Sequence, residues 1–424
     1  MRLGWPNSAL WALPLLALTV CAHAGDDNDP LALARGNLKT RVGNVVTGVP
    51  PQCYTKTGTA SNPCWVCHVR GRGDNRKDDQ DLQAHYDFTP TALTNHWGNL
   101  FRDRRVAMAA IPDGWMLEHL RQDNYTPLRL AMQKAEAEFT GYRPDLDLTQ
   151  GFDADGFARD GSGWRAYRYK PFPGTFWPTN GSSDAAFIRL PSAFRRDAAG
   201  HESRAVYKAN LDILEAAIAS PDRGKPLALP PHFGGGAQDI AVRAWRYPEG
   251  TELLHPVWYV NPEATDQPAM RMKELRYAIK AFDPNEQTLK KRYAEEAHEQ
   301  AIGDRPHYSG TALLGETNGW GWRYQGYIED AQGRLRLQTN EEQLSCMGCH
   351  SGLGVTVDSS FSLPRKLPRA PGWGMQDLRR IPDAPQQGSR EPEYQRYLRR
   401  VRAGDEFRAN TEMLARFFPR GMLD

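Results

Sequence analysis

Cys64-Trp65-Val66-Cys67-His68 and Cys346-Met347-Gly348-Cys349-His350 share one spacing, Cys-x-x-Cys-His. Two thiols about one helical turn apart can each add to a vinyl group of the same porphyrin. The His that follows can then bind the iron from below the ring. Cys64, Cys67, Cys346 and Cys349 are therefore expected to hold two covalently attached c-type haems, with His68 and His350 as proximal iron ligands. With 6 Cys and 11 His in 424 residues, random order would give one such motif roughly 0.002 times, so chance is excluded. Zinc is the competing chemistry. Two Cys-x-x-Cys pairs can build a tetrahedral thiolate site, but zinc knuckles usually lie close in sequence, and here nearly the whole chain separates them.

The sixth iron position decides between a carrier and an open, reactive haem. His96, beside Trp97 in an apolar pattern, is the candidate distal ligand for the first haem, ahead of Met108. His85 reads as a surface residue. Met375, in Gly372-Trp373-Gly374-Met375, is the candidate for the second. His119, His232, His255, His298 and His307 remain. His255 stands out among them because it falls on an apolar strand, where an imidazole is costly to bury unless hydrogen-bonded.

The chain resembles the dihaem c-type cytochromes in its two motifs and its export signal. More distantly, in motif pattern only, it is similar to the dihaem cytochrome c peroxidases and related oxygenases. The resemblance implies cytochrome c-like haem-binding regions at both ends, electron exchange with a periplasmic redox partner protein and, in an alternative form, one open haem iron turning over a small-molecule substrate. The second motif lies nearer the C-terminus than in the peroxidases, and peroxide chemistry is carried over to no residue.

These groups need elements to hold them. Each motif is expected to open a short helix: Asn62-Pro63 precedes the first, and Asn340 with Gln343 forms a near capping box before the second. Residues 1–24 read as a secretory signal peptide, with Arg2 in its head, an apolar run through 9–18 and a small-x-small cleavage site at Ala22-His23-Ala24. The run is too short to span a bilayer. A lipoprotein anchor at Cys21 is the lesser alternative, since Val20 stands where a small residue is usual. The protein is thus expected in the periplasm, without a membrane span. Its net charge of +2 argues against nucleic acid as a partner.

The remaining chain reads as a mainly α fold with irregular loops and a small β component. Residues 25–140 form the first haem region, 141–319 a central aromatic, loop-rich and helical segment, and 320–424 the second haem region. Helical patterns run through 81–139, 203–219, the pair 270–281 and 286–302, and 391–418. A strand covers 253–260, and a hairpin at 320–337 leads into the second motif. The aromatic loops around Trp164 and Trp177 either line a pocket or simply pack. Asp153-Ala154-Asp155-Gly156 resembles half a calcium loop, but Ser162 stands where the closing Glu belongs, so calcium is not expected. Cys53 is left over after both haems and reads as a buried thiol, with an intermolecular disulfide, a covalent link to another side chain or a role near the first haem as alternatives.

Overall fold

The computed structural model describes residues 29–36, 110, 112–168, 182–218, 228–259, 270–302, 307–330, 332–347, 358–360 and 372–375. Nine strands form one sheet: β1 (Arg165–Tyr167), β2 (Ser182–Asp184), β3 (Ala186–Arg189), β4 (Glu252–Tyr259), β5 (Met272–Lys280), β6 (Ser309–Thr311), β7 (Gly315–Thr317), β8 (Trp322–Glu329) and β9 (Leu335–Leu337). Their order is β1-β3-β4-β5-β8-β7-β6, with β2 paired to β4 and β9 to β8. Every pairing is antiparallel.

This sheet overturns the expectation of a mainly α, cytochrome c-like fold. The decisive misreading is β5. Met272-Lys273-Glu274-Leu275-Arg276-Tyr277-Ala278-Ile279-Lys280 is rich in helix formers and reads as the first helix of a pair. Pairing with β4 on one side and β8 on the other makes it a central strand instead. Local propensity of a few tenths of a kcal/mol per residue yields to two ladders of backbone hydrogen bonds and burial on both faces.

Strand alternation divides the core in two. Leu254, Tyr277 and Tyr327 point to one face with Phe187 and Leu275, against α1 (Ala32–Gly36) and α3 (Tyr125–Gln133), which follows α2 (Asp113–Arg121). Leu253, Ala278 and Tyr324 point to the other with Ile188 and Trp322, against Tyr207, Leu211, Leu214 and Ile218 of α4 (Arg204–Ile218). Helix α5 (Glu286–Ile302) follows β5, and α6 (Asn340–Met347) follows β9. The expected helices at 203–219 and 286–302, the strand at 253–260 and the hairpin at 320–337 correspond to α4, α5, β4 and β8–β9.

The segment 358–360 is fastened to the second face by buried charge. Lys280 Nζ lies 2.7 Å from Asp358 Oδ2, and both side chains are almost wholly excluded from solvent. Arg246 stands 3.4 Å from the other carboxylate oxygen, and the Tyr247 amide donates to Oδ2 at 2.9 Å. Burial lowers the Lys280 pKa, while the Asp358 charge opposes that shift. Trp322 Nε1 donates to the Asp358 carbonyl and Tyr324 Oη to that of Ser359. Asp358 and Ser359 adopt positive φ, 54° and 56°, a left-handed conformation non-glycine residues hold only when neighbours over-determine it.

Asp358→Asn keeps an amide that tolerates this backbone but leaves the buried Lys280 ammonium without its paired carboxylate, while Arg246 keeps Asp283. Breaking a buried pair in this way costs about 3–5 kcal/mol. The variant should show a denaturant midpoint lowered accordingly; an unchanged midpoint would mean that the pair contributes nothing to holding 358–360.

Candidate functional site

The second motif begins on α6. Thr339 caps this helix: Glu342 N donates to Thr339 Oγ1 at 3.3 Å, and Thr339 N donates to Glu342 Oε2 at 2.8 Å. That is a reciprocal capping box, one residue earlier than the expected Asn340–Gln343 pairing. Arg336 holds the Glu342 carboxylate with two hydrogen bonds, at 2.8 and 2.9 Å. Gln343 is released from capping and donates instead to the Ala312 and Gln338 carbonyls. The helix is thereby clamped at its start, and its last turn delivers Cys346 half-buried and Met347 fully buried in the second core cluster.

Cys346 opens on a pocket of about 480 Å³, mouth included, floored by β4, β5 and β8. The register explains its shape. Two rows cross the three strands on this face: Leu253, Ala278 and Tyr324 form one, and His255, Arg276 and Gly326 the next. Ala278 and Gly326 keep the floor low between larger neighbours. At Gly326 a Cβ would sit 2.2 Å from Gln338 Oε1, so the Gln338 amide would have to move to admit a methyl group. Gln338 lies across this glycine and meets Cys346 Sγ at 3.6–3.8 Å, a weak thiol contact.

His255 is buried in the pocket wall, and burial, helped by the Arg276 charge, lowers its pKa to about 3. Its imidazole is therefore neutral at physiological pH, the state in which a ring nitrogen can bind a metal. Arg276 is held by Glu274, whose carboxylate is fully buried, through Nε at 2.6 Å. Glu274 Oε1 has no hydrogen-bond partner.

The other candidates go elsewhere. Met375 packs on the first core cluster beside β1, where Gly374 N bonds the Ala166 carbonyl at 3.0 Å. It is not brought to the Cys346 pocket, which opens on the opposite face. Trp164, Trp258, Trp320 and Trp322 are buried as core, so those aromatics are packing rather than pocket wall; Trp177 lies outside the described residues. Asp153 and Asp155 both pair with Arg204, and Asp153 also accepts from the Asp155 and Phe157 amides. A guanidinium thus takes the place of a cation in that loop. Among the described residues no group of three or more His, Cys, Asp or Glu is placed to hold a metal ion. His119 stacks on Trp115 with ring centroids 5.1 Å apart, and His232, His298 and His307 are exposed. Cys53, Cys64, Cys67, His68, His85, His96, Met108, Cys349, His350 and the expected 391–418 helix lie outside the described residues.

One acidic group on this face went unnoticed in the sequence. Glu316 of β7 pairs across to Tyr324, is 2% exposed, and leaves Oε1 without a hydrogen-bond partner. Burial raises its pKa to about 7. Only the strand register could reveal it, since Gly-Glu-Thr is an unremarkable triplet.

A family profile described as "-like lipoprotein" matches residues 38–422. An uncharacterised lipoprotein of Aquifex aeolicus (strain VF5) is 32% identical, over 90% of this chain and 76% of that protein. Both matches overturn the resemblance to dihaem c-type cytochromes and peroxidases as a statement of kinship. The motif pattern is shared with those proteins, but the family and the fold are not. No helix among the described residues is long and apolar enough to cross a membrane.

The raised Glu316 pKa has a signed consequence. An unfolded glutamate titrates near 4.5, so between about 4.5 and 7 the native chain binds the extra proton. The Glu316 contribution to stability is therefore present below pH 4.5 and lost as pH rises through 7, by up to about 1.4 kcal/mol per pH unit. Comparing denaturation of the wild-type protein and Glu316→Gln across this window should show the variant gaining relative stability as pH rises. A constant difference between the two would contradict the assignment.

Proposed function

The chain belongs to the "-like lipoprotein" family, and we propose that it is an exported lipoprotein that carries two covalently attached c-type haems and passes electrons through them. The observation that supports this reading most directly is the placement of Cys346. The first thiol of the second motif lies on the rim of a largely apolar pocket that has a buried, neutral imidazole in its wall. A porphyrin needs an apolar slot, thiols at its edge and an imidazole within reach of the metal.

In this reading Cys346 and Cys349 hold one haem, and Cys64 and Cys67 the other. Each thiol adds across a vinyl group, sulfur to one carbon and hydrogen to the other, so nothing leaves. His350 and His68 are the proximal ligands. The bound groups supply one-electron transfer at iron. The chain's own residues would contribute burial, which excludes water, and covalent attachment, which holds each group in place. The family description also moves the expected attachment from a freely soluble periplasmic form, cleaved after Ala24, to one anchored by lipid at Cys21. The sequence Leu18-Thr19-Val20-Cys21 provides the thiol. Anchoring confines the haems to a membrane surface, where a redox partner protein can meet them.

The test is a haem count on the full chain, produced in a host that attaches c-type haem to exported proteins. Two thioether-linked haems per chain are expected by alkaline pyridine absorbance and mass, falling to one in the Cys346→Ser/Cys349→Ser double variant. A chain that matures without haem ends this reading. Separately, labelling with a radioactive fatty acid should mark the wild-type chain and leave Cys21→Ala unlabelled. Equal labelling of both would remove Cys21 as the anchor.

A further inference from the structure

A lipid on Cys21 would give this chain a short tether. Asp29, the first described residue, follows Cys21 by eight residues. Eight residues reach about 28 Å at full extension, whereas a compact chain of this length is about 55 Å across. The tether therefore keeps the N-terminal helix on the side of the molecule nearest the bilayer. Helix α1 is in turn fastened to the body. Leu31 and Ala34 are buried in the first core, the Leu337 amide of β9 donates to the Pro30 carbonyl at 2.9 Å, and Arg35 holds Glu136, just past α3, at 2.8 Å.

The surface that α1 and α3 turn outward suits lipid. Leu31 and Ala34 at α1, and Tyr125, Leu128 and Met132 of α3, enter the same core, and the helical period then sends Leu33 and Leu130 away from it. These two leucines are 47% and 48% exposed. Neither helix contains a carboxylate, and the acids beside α1, Asp29 and Glu136, are paired with Arg35. The helices themselves thus bring no charge that an anionic headgroup would repel. Two exposed leucines alone would be ordinary; the short tether is what gives them an occupant.

We propose that the outward side of α1 and α3 rests on the phospholipid surface in which Cys21 is anchored, with Leu33 and Leu130 entering the headgroup layer. The proposal rests on lipid attachment at Cys21 and not on haem. It turns the opposite face of the sheet, with Cys346, Lys280 and Asp358, toward the aqueous side. A partner of that face then arrives from solution rather than from within the bilayer.

The test uses the full lipidated chain in vesicles of phosphatidylethanolamine and phosphatidylglycerol. Benzoylphenylalanine, a photoreactive amino acid, is placed in turn at Leu33, at Leu130 and at Ile240. Ile240 is 36% exposed, in the loop whose Phe233 and Ala237 pack in the second core. On illumination, positions 33 and 130 should give several-fold more phospholipid adduct by mass spectrometry than position 240, and Cys21→Ala should bring all three to background. Equal adduct at the three positions, or more at 240, in a chain that carries lipid at Cys21 would overturn the proposal and leave the anchor intact. Adducts from 33 and 130 to a protein instead of phospholipid in whole cells would do the same, assigning this face to a protein partner. A chain that carries no lipid at Cys21 would overturn both.

Discussion

An ammonium group with no access to solvent organises the second face of this sheet. Lys280 ends β5 at the point where Asp358, Arg246 and the Tyr247 amide converge. Lys280 and Asp358 depend on each other there, because each is removed from water in a medium that screens poorly, while Arg246 is also held by Asp283. The cluster therefore forms only when β5, the 245–247 segment and residues 358–360 are all in place. Its consequence for the site is positional. Helix α6 ends at Met347 in the core, and Asp358 is fastened to the same face.

The pocket then follows from register. Period-two alternation assigns Leu253, His255, Ala278 and Tyr324 to one face and Leu254, Tyr277 and Gln325 to the other. A slip of one residue in β4 would bury His255 among Leu254's partners and expose the pocket wall as aliphatic. Both faces of this sheet are covered, so such a slip would be opposed by two cores at once. The charged residues of β5 survive burial because each has an assigned partner: Glu274 with Arg276, and Lys280 with Asp358. This leaves an apolar floor with a few polar groups at set points.

Much of the local structure was legible. Helix α4 announces itself by Leu211, Leu214 and Ile218 at helical spacing, and the hairpin by Asp330 and Gly333 between two apolar runs. Gly333 takes φ 79° in that turn, a conformation that favours glycine. The strand β5 was not legible. Its Lys, Glu, Arg and Ala residues satisfy a helical pattern, and what overrides it is pairing with strands far away in sequence. The same holds for the capping box, where Thr339–Glu342 and Asn340–Gln343 fit the sequence rule equally well. Arg336, reaching from β9, selects the first.

The sequence by itself carried the candidate groups: two thiol pairs each followed by His, and one imidazole on an apolar strand. These are properties of residue type and spacing, which survive whatever fold contains them. Only the tertiary structure decided which of the eleven histidines shares a pocket with Cys346, that Met375 does not, and that Glu316 is a buried acid. Those are distances between residues tens to hundreds of positions apart, set by antiparallel register and by buried charge pairs. No local pattern encodes them.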